Sequence, residues 1–253
     1  MEGVLYIAHG SQKREKNQAL GVFVHALHEQ VGSHIPYRIA FLEHDEETID
    51  KGASSMIQQG VTHVITVPLL LFAATHALRD IPNEIAEVKN KFPDIHFQFG
   101  DTFGHRAGTI QILAERIQQA IIQEGLTESK DQTACIVIAH GTKRYPTPQQ
   151  QLEQIAEQLQ EQLHIKIFPT NIRGREPFLP VTIEAMNAFQ NVIVLPFFMF
   201  NGHLVDEIHE KLKTATLHQF NPLIMTETLD FDERMIPDIF EVITESRNKE
   251  CTL

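Results

Sequence analysis

The sequence has little cysteine and no excess of positive charge, and these shortages argue against several classes of protein. Only Cys135 and Cys251 occur in 253 residues, which leaves no basis for a disulfide framework or an iron–sulfur cluster. Acidic residues outnumber Lys and Arg by 33 to 21, for a formal net charge of −12. Because nucleic-acid binding needs a basic surface, we expect no nucleic-acid partner.

Long apolar segments and phosphate-binding loops are also missing. The most apolar run, VITVPLLLFAA at 64–74, is far shorter than the ~20 residues that span a bilayer, and Pro68 interrupts it. The N-terminus has no basic segment ahead of an apolar stretch, so it does not resemble a signal peptide, and we expect a cytoplasmic protein without a membrane partner. No G-x-x-x-x-G-K-[ST] loop occurs, so we expect no use of ATP.

What the sequence does contain is a regular alternation of short β-branched runs with amphipathic stretches. This pattern is typical of parallel strands joined by helices, and it appears twice along the chain. Helices are predicted at 12–31, 47–59, 77–91, 106–124, 147–163, 180–189, 203–215 and near 232–247. We therefore predict an α/β fold of two tandem, doubly wound lobes with parallel sheets. The N-terminal lobe, 1–126, would hold the active site, and the C-terminal lobe, 133–253, would be its duplicate.

A histidine at the end of an apolar strand occurs in both halves. VLYIAHGSQKREK at 4–16 is matched by CIVIAHGTKRYPT at 135–147, which pairs His9 with His140. Each histidine is followed by Gly and then by Ser or Thr. A packing role would not require this context at equivalent strand ends, so the duplication favours a functional role.

A second histidine follows the third strand of each half. VITVPLLLFAATHALRDIPNEI at 64–85 matches VIVLPFFMFNGHLVDEIHEKL at 192–212 with a one-residue gap, and this pairs His76 with His203. Six other histidines of the first half lack such support and are interpreted as solvated or structural: His25, His28, His34, His44, His63 and His96.

Three potential ligands follow three strands of the first lobe. His9 ends strand one, Glu43 ends strand two within YRIAFLE, and His76 follows strand three. Ligands of open parallel sheets bind at the carboxyl ends of the strands, and strands one and three can be neighbours. Two imidazoles and a carboxylate suit a borderline divalent transition ion, and neutral imidazoles can also accept protons. Taken singly, a histidine or carboxylate at a strand end is more often a hydrogen-bonded loop residue than a functional one.

Basic residues follow the strand-end histidines. Lys13 and Arg14 come after the first, and Arg173 and Arg175 follow the second strand of the second lobe. They could be solvated surface charges, but near a cleft they would join the backbone amides around Ser11 in binding anions. We interpret these five residues as candidate substrate contacts, which suits a polycarboxylate.

The segments YIAHGS, FLE and VPLLLFAATHALRDIP resemble the long, two-lobed sirohydrochlorin chelatases, over essentially the whole chain. The resemblance implies that each lobe is flavodoxin-like and that a tetrapyrrole binds between the lobes. It implies catalytic, metal-binding roles for His9 and His76 and a supporting, metal-binding role for Glu43. The expected enzyme is a lyase that inserts Fe²⁺ into sirohydrochlorin for siroheme biosynthesis, with sirohydrochlorin and the metal as partners and no further cofactor.

Several alternatives remain open. The ligand set would accept Co²⁺ or Ni²⁺ as well as Fe²⁺. Iron is preferred because the chain ends without the His-rich or Cys-rich tail of some long cobalt-inserting relatives. Cobalt insertion for cobalamin biosynthesis and a non-catalytic metal or tetrapyrrole carrier are the other candidates. A histidine phosphatase is disfavoured because Ala8 and Ala139 stand where that class has Arg.

Only the first copy of the duplicated site is expected to insert metal. The second lobe keeps His140 and His203, but FLE has no unambiguous counterpart there, and Glu176 is only a possible match. We expect the second histidine pair to pack or to help position the substrate.

Overall fold

Two four-stranded parallel sheets form the framework of the chain, which a computed structural model describes over residues 1–215 and 223–248. The first sheet contains β1 (Glu2–Ala8), β2 (Tyr37–Phe41), β3 (His63–Pro68) and β4 (His96–Phe99). The second contains β5 (Thr133–Ala139), β6 (Lys166–Asn171), β7 (Asn191–Pro196) and β8 (Leu223–Met225). The helices are α1 (Arg14–Gly32), α2 (Ile49–Gln58), α3 (Ile81–Lys91), α4 (Ala107–Gln123), α5 (Thr147–Leu163), α6 (Phe178–Ala188), α7 (His203–Ala215) and α8 (Ile236–Arg247). The predicted fold class is confirmed.

The order of strands brings the first and third strand of each sheet together. The first sheet runs β2-β1-β3-β4 and the second runs β6-β5-β7-β8, with every pair parallel. All residues of β5 and all but the first of β1 are buried, because helices cover both faces of a parallel sheet. The carboxyl ends of β1, β2 and β3 therefore meet at one edge, as the sequence pattern predicts.

The compact units of the structure differ from the two sequence repeats. One unit combines Met1–Gly108 with the C-terminal segment that begins at Phe231, and the other is Thr109–Asp230. The last helix of each repeat is thus assigned to the other unit: almost all of α4 belongs to the second and α8 belongs to the first. The predicted boundary, between a lobe that ends at 126 and one that begins at 133, lies inside the second unit, where Thr127–Gln132 form a 3₁₀ helix.

Helix α8 completes the first unit by packing on α1, β3 and β4. Gly100, which follows β4, leaves the space that the Val242 side chain of α8 fills. The buried carboxylate of Asp238 accepts a hydrogen bond from the Gly108 amide at 3.1 Å. Further along α8, the Arg106 guanidinium bonds the carboxylates of Glu241 and Glu245. Apolar and ionic contacts together hold the last helix on the first sheet.

Most helices agree with the predicted spans, and two differ. A π-helix, His76–Asp80, precedes α3 where the sequence predicts a single helix at 77–91. The last helix begins at Ile236 after a 3₁₀ turn, Glu233–Met235, that the apolar periodicity does not distinguish from a regular helix. No helix in the described ranges is both long enough and apolar enough to span a membrane.

The ionic contact at Arg106 should contribute measurably to stability. Its side chain is only 12% exposed, whereas its partners Glu241 and Glu245 are 63% and 46% exposed, so the bonds are partly shielded from water. We expect Arg106→Ala to lower the free energy of unfolding by about 1–2 kcal/mol and to accelerate amide exchange in α8. Urea unfolding with hydrogen–deuterium exchange measures both effects.

The matched control is Lys91→Ala, which removes an ion pair with Asp50 whose side chains are 56% and 50% exposed. Exposed pairs of this kind contribute about 0–1 kcal/mol. Equal destabilisation by the two variants would contradict the role given to Arg106.

Candidate metal centre

Backbone hydrogen bonds beyond the ends of β1 and β2 place His9 beside Glu43. The Leu42 amide donates to the Ala8 carbonyl at 3.0 Å and the Glu43 amide donates to the His9 carbonyl at 2.9 Å, which continues the parallel ladder. Gly10 adopts a φ of 91°, and a Cβ there would overlap the carbonyl oxygen of Glu43. The glycine after the strand-end histidine is thus required both by its positive φ and by the close approach of the next chain.

His76 reaches the same edge from the neighbouring strand. The ladder between β1 and β3 continues past the strands through the Leu69 amide and the Ile7 carbonyl, at 2.7 Å. A loop then leads into the π-helix that His76 opens. The imidazole rings of His9 and His76 meet edge to face, with their centroids 4.8 Å apart.

These three side chains form a set that could hold a metal ion. One ligand atom from each of His9, Glu43 and His76 lies within 4.8 Å of the others. In the described residues, 1–215 and 223–248, no other group of three or more His, Cys, Asp or Glu side chains meets this spacing. Ligand atoms at ~2.0–2.2 Å from one ion lie about 3–4 Å apart, so a small convergence would complete a site. Three protein ligands leave coordination positions open for an incoming molecule.

The environment of His9 favours its neutral form. Burial, reinforced by the neighbouring His76 imidazole, lowers the pKa of His9 below its usual range, and this outweighs the opposing effect of the Glu43 carboxylate. A neutral imidazole keeps a lone pair for a metal or a proton. The lowered pKa of His9 therefore favours cation binding by this residue.

Two further residues contact the ligand set, and neither has a role assigned from sequence. The Asp80 carboxylate accepts a hydrogen bond from Nδ1 of His76 at 2.9 Å. His44, with a φ of 62°, lies 3.3 Å from the Glu43 carboxylate through Nε2 and stacks at 6.3 Å on the His9 ring. The spacing H-x-x-x-D was a usable signal for Asp80. The sequence predicts only a solvated or structural position for His44, because the duplication does not extend to it.

The candidate substrate contacts of the first lobe differ in their exposure to solvent. Lys13 and Arg14 are exposed, whereas Ser11 is buried. The Ser11 hydroxyl accepts a hydrogen bond from the Lys13 amide, and its own amide donates to Asn17, so both groups help to shape the turn before α1. The Ser11 amide is therefore already paired, contrary to the expectation that it is available to an anion. Substrate contact by Ser11, Lys13 and Arg14 stays a prediction.

The second repeat preserves the backbone of the site but changes its chemistry. The Arg173 amide donates to the His140 carbonyl at 2.8 Å, as the Glu43 amide does to His9, so Arg173 is the structural counterpart of Glu43. The suggested match with Glu176 is wrong. The Glu176 carbonyl accepts a hydrogen bond from the amide of Asn171, the last residue of β6. In the first repeat the Glu47 carbonyl accepts the equivalent bond from the last residue of β2, so Glu176 corresponds to Glu47.

An ion pair involves the carboxylate that follows His203 in the second repeat. The two terminal guanidinium nitrogens of Arg173 donate to the Glu207 carboxylate, at 2.9 and 2.6 Å, and Lys211 donates to it as well. Hydrogen bonds from Arg173 and Lys211 lower the pKa of Glu207 to about 2. Arg175 is exposed and donates to the Lys143 carbonyl. Substrate contact by Arg173 and Arg175 stays a prediction.

Other histidines of the first repeat have structural or surface positions. His28 is buried, where it bonds the Tyr6 hydroxyl through Nδ1 and the Ile35 carbonyl through Nε2. His63 and His96 are exposed and stack at the amino ends of β3 and β4. Their positions agree with the structural or solvated interpretation.

Comparisons with known proteins converge on one family. The sequence model of the CbiX family matches residues 3–120 and 134–246, once for each repeat. A sirohydrochlorin ferrochelatase of Priestia megaterium is 30% identical over 216 residues, which cover 84% of this chain and 79% of that protein. A sirohydrochlorin cobaltochelatase of the same organism is 28% identical over 224 residues, or 87% of this chain and 72% of that protein.

Solved structures show the same fold. A structure described as SirB from Bacillus subtilis with Fe³⁺ has a TM-score of 0.83 at 24% identity and covers 97% of this chain and 95% of that one. A SirB structure in complex with cobalt has a TM-score of 0.81 at 24% identity, covering 99% and 97%.

The depressed pKa of His9 is directly measurable. In the metal-free protein we expect the His9 imidazole to titrate by NMR with a midpoint below ~6.5, the value of an unperturbed imidazole. His9 would then lose its lone pair only as the pH falls through that lower midpoint, so its contribution to metal binding should survive moderate acidification. The His76→Ala variant should raise the midpoint, because the neighbouring imidazole contributes to the shift. A midpoint at or above the unperturbed value would contradict this account.

Proposed function

Because this chain belongs to the CbiX family, we propose that it inserts a divalent metal ion, with Fe²⁺ preferred, into sirohydrochlorin. The observation that carries the proposal is the convergence of His9, Glu43 and His76, whose ligand atoms lie within 4.8 Å of one another. Relatives named as ferrochelatases and as cobaltochelatases both match the chain, and the donor set suits iron, cobalt and nickel alike.

The three side chains would first hold the metal substrate. Two neutral imidazoles and one carboxylate bind a divalent ion while leaving positions for pyrrole nitrogens. The Glu43 carboxylate offsets part of the ion's charge, and its amide is tied to the His9 carbonyl, which limits how far the two ligands can separate. Binding the ion at a fixed place lowers the cost of aligning it with the macrocycle.

Insertion also requires two pyrrole protons to leave the macrocycle. An imidazole that donates its lone pair to the metal cannot accept a proton at the same time, so the two roles must follow one another. As pyrrole nitrogens replace His9 and His76 on the ion, each released imidazole takes up one proton and passes it to water. The low pKa of His9 speeds this second transfer, and Glu43 stabilises the transient imidazolium. No ATP or further cofactor is part of the proposal.

The remaining assignments support this reaction. Sirohydrochlorin carries several carboxylates, which Lys13, Arg14, Arg173 and Arg175 would bind, with Ser11 shaping the first turn. Siroheme biosynthesis is the proposed pathway and the cytoplasm the proposed location. A carrier that only holds metal or tetrapyrrole is the competing function.

The test is turnover, followed by the absorption change of sirohydrochlorin with Fe²⁺, Co²⁺ or Ni²⁺ in excess. We expect many product molecules per chain with at least one of these metals and the highest rate with Fe²⁺. His9→Ala and His76→Ala should each lower the rate by at least about 10²-fold, the usual scale for losing a positioned acid–base group. Circular dichroism should show that both variants stay folded.

Product that stops at one equivalent per chain would identify a carrier instead of an enzyme. Full activity of either variant would remove that histidine from the site. A higher rate with Co²⁺ than with Fe²⁺ would assign the chain to cobalt insertion.

The second repeat should not support an independent reaction. Its counterpart of Glu43 is the cation Arg173, which is paired with Glu207, so a divalent ion would meet a positive charge there. We expect His140→Ala and His203→Ala to retain most of the turnover, with any loss appearing mainly in KM. Steady-state kinetics and the stoichiometry of macrocycle binding measure this. Variants as inactive as His9→Ala, or two macrocycles per chain, would overturn the one-site proposal.

A further inference from the structure

The π-helix that follows β3 places a carboxylate directly behind a metal ligand. Oδ2 of Asp80 accepts the hydrogen bond from Nδ1 of His76 at 2.9 Å. The other oxygen, Oδ1, accepts from Nε of Arg79 at 2.8 Å, and the Asp80 side chain is only 24% exposed. The carboxylate is thus held on both of its oxygens, and one of its partners is the imidazole of the metal centre.

We propose that Asp80 is a positioning residue that selects the metal-binding tautomer of His76. A neutral imidazole carries its proton on one nitrogen and its lone pair on the other. Because a carboxylate can only accept, the bond to Asp80 keeps the proton on Nδ1 and leaves the lone pair on Nε2. Carboxylates behind metal-binding histidines fix the ring orientation and raise the basicity of the ligand. The inference rests on the proposed function, since it assumes that His76 binds the metal substrate.

The backbone supports this arrangement. The Ile81 amide donates to the carbonyl of His76, five residues earlier, and this closes the wider turn of a π-helix. Ile81 is buried in the core of the first unit, where it anchors the start of α3. Turns of this kind are rare and concentrate at functional sites. His76 and Asp80 therefore stand at the two ends of one short element that is fixed to the core.

The second repeat has a carboxylate at the same place with a different partner. Glu207 follows His203 by four residues, as Asp80 follows His76, but its oxygens bond Arg173 and Lys211. The fold alone therefore does not require a carboxylate at this position to hydrogen-bond the histidine four residues earlier. In the first repeat the counterpart of Arg173 is Glu43, itself an anion, and the Asp80 carboxylate bonds the imidazole. Glu207 consequently provides a matched control.

The experiment is Co²⁺ binding to the full chain without tetrapyrrole, followed by the visible absorption of the ion. Asp80→Ala should weaken Co²⁺ affinity by about 10–100-fold, the usual effect of removing such a carboxylate. Asp80→Asn should lose less, because its amide oxygen can still accept the Nδ1 proton. Glu207→Ala should leave the Co²⁺ affinity unchanged. In the chelation assay, Asp80→Ala should raise KM for the metal more than it lowers kcat.

The tautomer provides a second, independent measurement. In ¹⁵N NMR of the metal-free wild type, His76 should carry its proton on Nδ1, and Asp80→Ala should shift the population towards Nε2 protonation. Unchanged Co²⁺ affinity in Asp80→Ala, or a wild-type His76 protonated on Nε2, would overturn the inference. If Asp80→Ala fails to fold, the wild-type spectrum and Asp80→Asn still decide it. A wild type that has the Nδ1 proton but binds no Co²⁺ would overturn the proposed metal site and leave the pairing of Asp80 with His76 intact.

Discussion

The site depends on a parallel ladder that continues after the strands themselves have ended. The amides of Leu42 and Glu43 donate to the carbonyls of Ala8 and His9, and only a glycine at position 10 lets the two chains approach so closely. The imidazole and the carboxylate therefore start from linked backbone positions, and β3 brings the other imidazole to the same edge. The pairing of His9 with Glu43 in the candidate metal centre is accordingly a property of the sheet, whereas His76 is placed by the π-helix that follows the loop after β3.

Duplication has preserved this backbone while changing the charge of the groups on it. Around the first site lie the carboxylates of Glu43 and Asp80 with the guanidinium of Arg79, a net negative set beside two imidazoles. The corresponding set in the second repeat is Arg173, Lys211 and Glu207, which is net positive. A divalent cation is attracted to the first arrangement and repelled by the second. The fold is common to both repeats, so the difference in chemistry comes from a few side chains.

Much of this organisation could be predicted from sequence, because hydrophobic periodicity and the duplicated His-Gly context report strand ends directly. The pattern predicts that His9, Glu43 and His76 follow three strands whose carboxyl ends can share one edge, and the structure brings these three side chains together there. It could not identify the π-helix, since one extra residue in a turn barely alters helical periodicity. His44 is assigned no functional role from sequence because it lacks a duplicated context, and its left-handed backbone has no sequence signature at a histidine. The match to Glu43 in the second repeat depended on hydrogen-bond register, which sequence letters alone do not carry.

The exchange of the last helices has a consequence for how the protein is made and dissected. A periodic apolar face shows that a helix will be buried, but it does not show which sheet will bury it, and α8 completes the unit that contains Met1–Gly108. The ribosome therefore completes the unit that contains the candidate metal centre only after the whole intervening unit has emerged. A fragment cut at the boundary between the repeats would expose the surface that α8 covers, so gene truncation cannot isolate the first repeat as a native domain. A circular permutant that joins the α8 segment directly ahead of β1 would instead keep that unit continuous in sequence.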